Sequence, residues 1–321
     1  MNEMKLETEI TVLVPHRISC FFQIVESGGG RPVDDLSRIG SMGGGPSLSI
    51  HGKTKIKIKE FLDPTEPSKC TIRINGVEST KTAKTTFYVF SHYTSMIKRP
   101  INIDIYHDYQ LPLGAGYGSS GCGAIGTSFG LNYLLDVGLS YNQAGRIAHI
   151  AEVMNKTGLG TVGGQLTGGI SITTKAGYPF ELDRIFYPLN VKIMCASFGS
   201  IPTPSIIGDP IYKTRIKEAG AKAMHNLLKT PIFTEFLRVS QLFVKEIQIL
   251  EPPEMQDIKH LIEDLNKLDV YGAGMNQLGK SVYCFCDSSH INQVKEVFDT
   301  FCPNMTKELT ICESGPVLYK S

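Results

Sequence analysis

One ten-residue stretch, PLGAGYGSSG at residues 112–121, restricts the fold of this chain more than any other. It joins a β-rich run, INIDIYH at residues 101–107, to a helical pattern that reaches about Leu135. Glycines at 114, 116 and 118 let the backbone take positive φ and come close to a bound group. Ser119 and Ser120 then stand at the helix entrance, where free N–H groups and the helix dipole favour a phosphate. Ser120 is also placed to offer its hydroxyl to a magnesium ion. The plainer alternative is a flexible loop ending in an N-cap serine. Three alternate glycines followed by two serines argue against it. The spacing is neither the dinucleotide fingerprint G-x-G-x-x-G nor a Walker A loop, which needs a following GK[ST].

The rest of the chain supplies both kinds of element. Residues 9–15 (EITVLVP) are β-rich, and residues 53–59 (KTKIKIK) alternate as a strand with one wet, lysine-lined face would. Residues 70–74 predict another strand and 85–98 a helix. Ser140 reads as the N-cap of a helix over 142–155. The glycine-rich stretch 158–169 leads into a strand at 170–175, and a strand at 191–197 is expected to finish a first lobe. From about Thr203 helices take over, with apolar residues at three- and four-residue spacing over 212–228, 231–249 and 255–268. A glycine-containing loop at 271–279, a strand at 281–286, a helix at 291–301 and a strand near 309–312 follow. This order predicts an α+β chain of two lobes, 1–195 and 196–321.

Composition excludes several function classes. Lysine plus arginine number 32 against 31 aspartates plus glutamates, so the chain is no binder of nucleic acid by broad phosphate neutralisation. Its eight cysteines are scattered, without zinc-ligand spacing, in a chain large enough to fold unstapled; free and mostly buried thiols are expected. The first twenty residues carry Glu3, Lys5, Glu7 and Glu9 and do not read as a signal peptide. No run of eighteen apolar residues occurs, so a soluble cytoplasmic protein with no membrane partner is expected.

The motif P-x-x-x-G-x-G-S-S, here residues 112–120, resembles the phosphate loop of the GHMP kinases. Two further stretches resemble that family in order and place: VPHRIS at 14–19, and YGAGM at 271–275 ahead of SVYCFC. The resemblance spans the whole chain. Within the family it is similar to the archaeal pantoate-kinase branch, through Pro15-His16-Arg17-Ile18-Ser19, GSMGGG at 40–45, AHIAE at 148–152, and Gly158-Leu159-Gly160 continuing to Gly164-Gln165 and Gly168-Gly169. It implies a two-lobed GHMP kinase fold with a ferredoxin-like C-terminal lobe, and an ATP- and magnesium-dependent phosphotransferase acting on a small hydroxy acid. Many members of the family form homodimers, which no motif in this chain requires.

The resemblance also implies roles. Gly114, Gly116, Gly118, Ser119, Ser120 and Gly121 would hold ATP phosphates, and Ser120 with Glu152 would hold magnesium, as hard oxygen ligands suit that ion. Arg17 and His16 would lie beside the acceptor, with Gly43, Gly44, Gly272 and Gly274 shaping its pocket. A lone histidine such as His16 is as often structural. Thr161 stands where the branch tends to carry a catalytic aspartate, and a threonine takes no proton from an alcohol at neutral pH. Together with the polar set His16, Arg17 and Lys156, that change suggests a more negative acceptor than pantoate. The expected acceptor is therefore (R)-mevalonate 3-phosphate, giving mevalonate 3,5-bisphosphate for isoprenoid synthesis. The alternatives are pantoate, giving 4-phosphopantoate for coenzyme A synthesis, a decarboxylase of the mevalonate-diphosphate type, and a non-catalytic metabolite sensor.

Overall fold

A computed structural model describes residues 8–28, 31–32, 35–201, 206 and 208–320. The expected start of the helical region at Thr203 lies outside the described residues. In chain order the strands used below are β1 (Glu9–Arg17), β2 (Phe21–Val25), β3 (Gly40–Phe61), β4 (Lys69–Ile74), β5 (Val77–Glu78), β6 (Ile101–Asp108) and β7 (Ile170–Lys175). They continue as β8 (Glu181–Ile185), β9 (Val191–Gly199), β10 (Gly272–Met275), β11 (Lys280–Asp287), β12 (Met305–Leu309) and β13 (Val317–Lys320). The helices are α1 (Lys84–Thr94), α2 (Ser119–Leu134), α3 (Tyr141–Asn155), α4 (Thr161–Thr167), α5 (Pro210–Lys229), α6 (Phe233–Ile247), α7 (Gln256–Leu265) and α8 (Ile291–Thr300).

The first sheet runs β8-β7-β3-β6-β4-β5, with β1 and β2 also paired to β3, and β13 paired to β1. The long strand β3 belongs to two neighbourhoods. Its first residues pair with β2 and β7, and its later ones with β1 and β6. The lysine alternation has the expected cause: Ile56 and Ile58 face the core, while Lys55 and Lys59 reach Glu9 and Asp104 across the wet face. Helix α2 packs on the buried face of this sheet and is rich in glycine for a steric reason. A Cβ at Gly126 would lie 2.2 Å from the Thr54 hydroxyl, and one at Gly130 would lie 2.7 Å from Ile56 Cδ1. The helix therefore seats close against β3, which fixes where its N-terminus, and any phosphate there, can be.

Helix α3 begins at a full capping box, with the Ser140 hydroxyl accepting from the Gln143 N–H and the Gln143 side chain accepting from the Ser140 N–H. Such caps contribute about 1 kcal/mol. The second sheet is antiparallel in the order β10-β11-β9-β12 and is covered by α6 to α8, while α5 packs against α6 and β2. The strand at 191–199, expected to finish the first lobe, lies in this second sheet, where every β9 pairing is made. The expected division at residue 195 falls inside that strand. Within the stretch 271–279 expected as a glycine-containing loop, Gly272–Met275 form strand β10 and only the remainder is loop and turn.

The cysteine expectation holds: all eight are free, and Cys20, Cys122, Cys195, Cys284 and Cys286 are buried. Among the described residues no helix is long and apolar enough to cross a membrane.

Candidate active site

Between the phosphate loop, the end of β1, the start of β3 and the segment before β11 lies a cleft of about 420 Å³. The loop at 114–118 forms its floor. Gly116 and Gly118 have φ of 90° and 69°, conformations that cost other residues dearly. Side chains are also excluded there by space. A Cβ at Gly116 would meet the Asn276 amide at 3.0 Å, and one at Gly118 would meet Thr161 Cγ2 at 2.7 Å. The loop is held from the second sheet as well, since the Asn276 side chain contacts the Ala115 carbonyl (3.4 Å) and the Ile201 N–H donates to the Gly114 carbonyl (3.3 Å). Ser119 and Ser120 line the cleft at the N-terminus of α2, where the first N–H groups of the helix are placed to meet an anion.

Glu152 sits behind Ser120, wholly buried near the end of α3. Its carboxylate accepts from the Ser120 hydroxyl at 3.1 Å and from the Thr157 hydroxyl at 2.6 Å. Burial pushes this carboxyl up to about 7; the Thr157 and Ser120 hydroxyls pull in the other direction without offsetting it. Among the described residues no basic side chain pairs with it. A buried, nearly unpaired carboxylate beside a serine hydroxyl and a phosphate-binding helix end fits a magnesium ion, which takes one or two protein oxygens and fills its shell with phosphates and water. No cluster of three or more His, Cys, Asp or Glu able to hold a metal by itself occurs among the described residues.

Arg17 is the counterpart at the other end of the cleft. It is 4% exposed, and its guanidinium donates to the Ser171 hydroxyl (2.7 Å) and the Ser171 carbonyl (3.0 Å). Those two bonds leave most of its N–H donors unused. Burial lowers the guanidinium to about 10, which still leaves it charged at neutral pH. Gly164 is bare because a Cβ there would lie 2.2 Å from Arg17 Cζ. An unpaired buried cation bordering a cleft is suited to a carboxylate, which it can take bidentately.

The structure brings together most of the residues expected from the sequence. Gly114, Gly116, Gly118, Ser119, Ser120, Arg17, Gly43, Gly44 and Thr161 all line the cleft. Others stand apart. His16 is fully buried beneath the loop, where its Nδ1 contacts the Tyr117 carbonyl at 3.0 Å. Burial lowers its imidazole to about 4, so it is neutral. Gly121 faces Gln165 inside the protein. Gly272 and Gly274 lie on β10 outside the cleft lining, and Gly274 is bare because the Tyr283 hydroxyl crosses 2.6 Å from where its Cβ would be. Lys156 is exposed at the C-cap of α3. Residues that sequence reasoning missed include Ser19, Ser41, Lys84, Thr157 and Gln277, which reach the cleft from five separate segments. Among the described residues no aspartate or glutamate lines the cleft, so none of them supplies there the carboxylate absent at Thr161.

Residues 81–169 match the model of the GHMP kinases N terminal domain, a span that contains the phosphate loop, Glu152 and Thr161. The pantoate kinase of Thermococcus kodakarensis is 27% identical over 90% of this chain and 91% of its own length. That of Methanocaldococcus jannaschii is 29% identical over 85% and 91%. A solved phosphotransferase related to the CoA biosynthesis pathway superposes with a TM-score of 0.84 at 25% identity, covering 97% of this chain and 99% of the other. These relatives overturn mevalonate 3-phosphate as the expected acceptor, because similarity along nearly the whole chain runs to proteins named pantoate kinase. A single Asp-to-Thr difference weighs less than that. The chain carries a GHMP kinases N terminal domain at residues 81–169, is similar over most of its length to archaeal pantoate kinases, and is an ATP-dependent phosphotransferase with a hydroxyl acceptor.

Proposed function

We propose that this chain transfers the γ-phosphoryl group of ATP to pantoate, giving 4-phosphopantoate for coenzyme A synthesis. The observation that carries this reading is the likeness to two archaeal pantoate kinases over at least 85% of this chain and 91% of each of theirs. The cleft is chemically suited to it. Arg17 holds the acceptor's carboxylate, with Ser171 fixing the guanidinium's plane. The N–H groups at Ser119 and Ser120 would take phosphate oxygens, and Glu152 with Ser120 would hold magnesium. The ion, when bound, neutralises charge on the phosphates.

With no carboxylate among the described residues that line the cleft, catalysis rests on positioning and charge stabilisation, the larger share of the work in phosphoryl transfer. Thr161 orients rather than abstracts, since it lies over Gly118 at the start of α4. Offering ATP and magnesium with pantoate, homoserine or glycerate and identifying products by phosphorus NMR tests the reading. Phosphopantoate as the main product supports it, and phosphorylation of another acid in preference would refute it.

A further inference from the structure

Gln165 lies on α4 away from the cleft surface and is wholly buried. Its amide nitrogen lies 3.0 Å from the Pro15 carbonyl and 3.1 Å from the Gly118 carbonyl, with Cys122 Sγ at 3.0 Å. An amide has two N–H donors, so it can serve both carbonyls together. Those carbonyls belong to the two halves of the cleft. Pro15 is two residues before Arg17 on β1, and Gly118 is the last residue of the phosphate loop before α2. Two further links run alongside: the Arg17 N–H donates to the Tyr117 carbonyl at 3.2 Å, and His16 contacts the same oxygen at 3.0 Å. On the same face of α4, Gly164 lies against the guanidinium and Thr161 against Gly118. The buried Gln165 Oε1 has no hydrogen-bond partner among the described residues and fills the space beside Gly121, 2.4 Å from where a Cβ would be. A side chain kept with one unsatisfied oxygen suggests that its donors are what the site needs.

We propose that Gln165 is a positioning residue that sets the distance between the acceptor-binding guanidinium and the phosphate loop. In-line transfer needs the acceptor oxygen within about 3 to 3.5 Å of phosphorus, and a displacement of about 1 Å can cost on the order of 100-fold. Gln165 touches neither reactant, so it acts only through Arg17 and Gly118. The proposal rests on the placement of the acceptor beside Arg17. Turnover of pantoate by the unaltered protein tests that placement alone.

Gln165→Met keeps the length and bulk of the side chain and removes both donors. Its kcat with pantoate falls at least about tenfold, while the KM for ATP stays within about threefold and ADP release without acceptor is unchanged. Crystals of both proteins with a non-hydrolysable ATP analogue and magnesium give a second readout that needs no acceptor. The separation of Arg17 Cζ from the Gly118 carbonyl grows by about 0.5 Å or more in the variant. If Gln165→Met does not fold, Gln165→Asn, which withdraws the amide by one methylene, is read in the same two ways. An unchanged separation overturns the proposal. So does a kcat within about twofold of the unaltered protein, or an ATP KM that worsens in step with kcat.

Discussion

Replacing Glu152 with glutamine should make the ligand-free protein more stable and the enzyme worse. The carboxyl is buried with hydroxyl partners only, and burial raises it from an ordinary 4.5 to about 7. At about 1.4 kcal/mol for each tenfold change in proton affinity, that is about 3 kcal/mol of unfavourable charge burial above pH 7. Below about pH 4.5 both folded and unfolded chains carry the proton. Between about pH 4.5 and 7 the unfolded chain releases it and the folded chain keeps it, so stability falls as pH rises through that window. Glutamine is neutral throughout, and the Ser120 and Thr157 hydroxyls can accept from its amide as readily as they donate to the carboxylate. For a chain of this size about 3 kcal/mol corresponds to roughly 4 °C in Tm. Thermal melts of both proteins from about pH 5 to pH 8 should therefore show a gap that opens across that interval, with the variant higher. Magnesium and ATP should narrow the gap by giving the carboxylate its cation. Turnover of Glu152→Gln should drop about 10- to 100-fold, as expected for loss of a group that holds a metal. A variant less stable at pH 8, or a gap of the same size at every pH, would refute the account of Glu152 as an uncompensated buried charge.

Four further outcomes follow from the same geometry. Arg17→Met should weaken pantoate binding by about 100-fold or more, the worth of a buried charged hydrogen-bond pair, with ATP affinity within about threefold by calorimetry. Gly118→Ala must place a Cβ 2.7 Å from Thr161 Cγ2 at positive φ, and should cost about 1 to 3 kcal/mol in urea unfolding together with most of the ATP affinity. Thr161→Asp adds a carboxylate that no described residue brings to the cleft lining; pantoate turnover should rise by up to about 100-fold, and no gain would mean that positioning alone limits the rate. Cys312, whose thiol contacts His51 at 3.7 Å and is lowered to about 7, should be alkylated by iodoacetamide near neutral pH well before buried thiols such as Cys20 and Cys122, which burial pushes up to about 12. Peptide mass mapping over time checks the order.

The phosphate loop was legible because its chemistry is written in consecutive residues: alternate glycines, two serines and a helix start. Glu152 was legible only through the family resemblance, since nothing local distinguishes it from a surface glutamate. Helix α4 was hidden in a stretch read as glycine-rich, because Thr-Val-Gly-Gly has poor helix propensity and is helical here through packing against Arg17 and the loop. Strand β10 reads as a loop in the sequence for a similar reason. Its glycines answer to close approach by neighbouring side chains, Tyr283 among them, and not to a ligand. Ser19, Lys84, Thr157 and Gln277 carry no local pattern; only the folding of distant segments places them on one cleft. The substrate expectation failed because it rested on one position, Thr161, whose meaning depends on everything around it.

The most direct test of the central claim is ADP release by the purified protein with ATP and magnesium, measured with and without pantoate. Release that depends on pantoate and saturates with it, one phosphopantoate formed per ADP, is the expected result. ADP release that is absent, or indifferent to pantoate, would contradict the assignment.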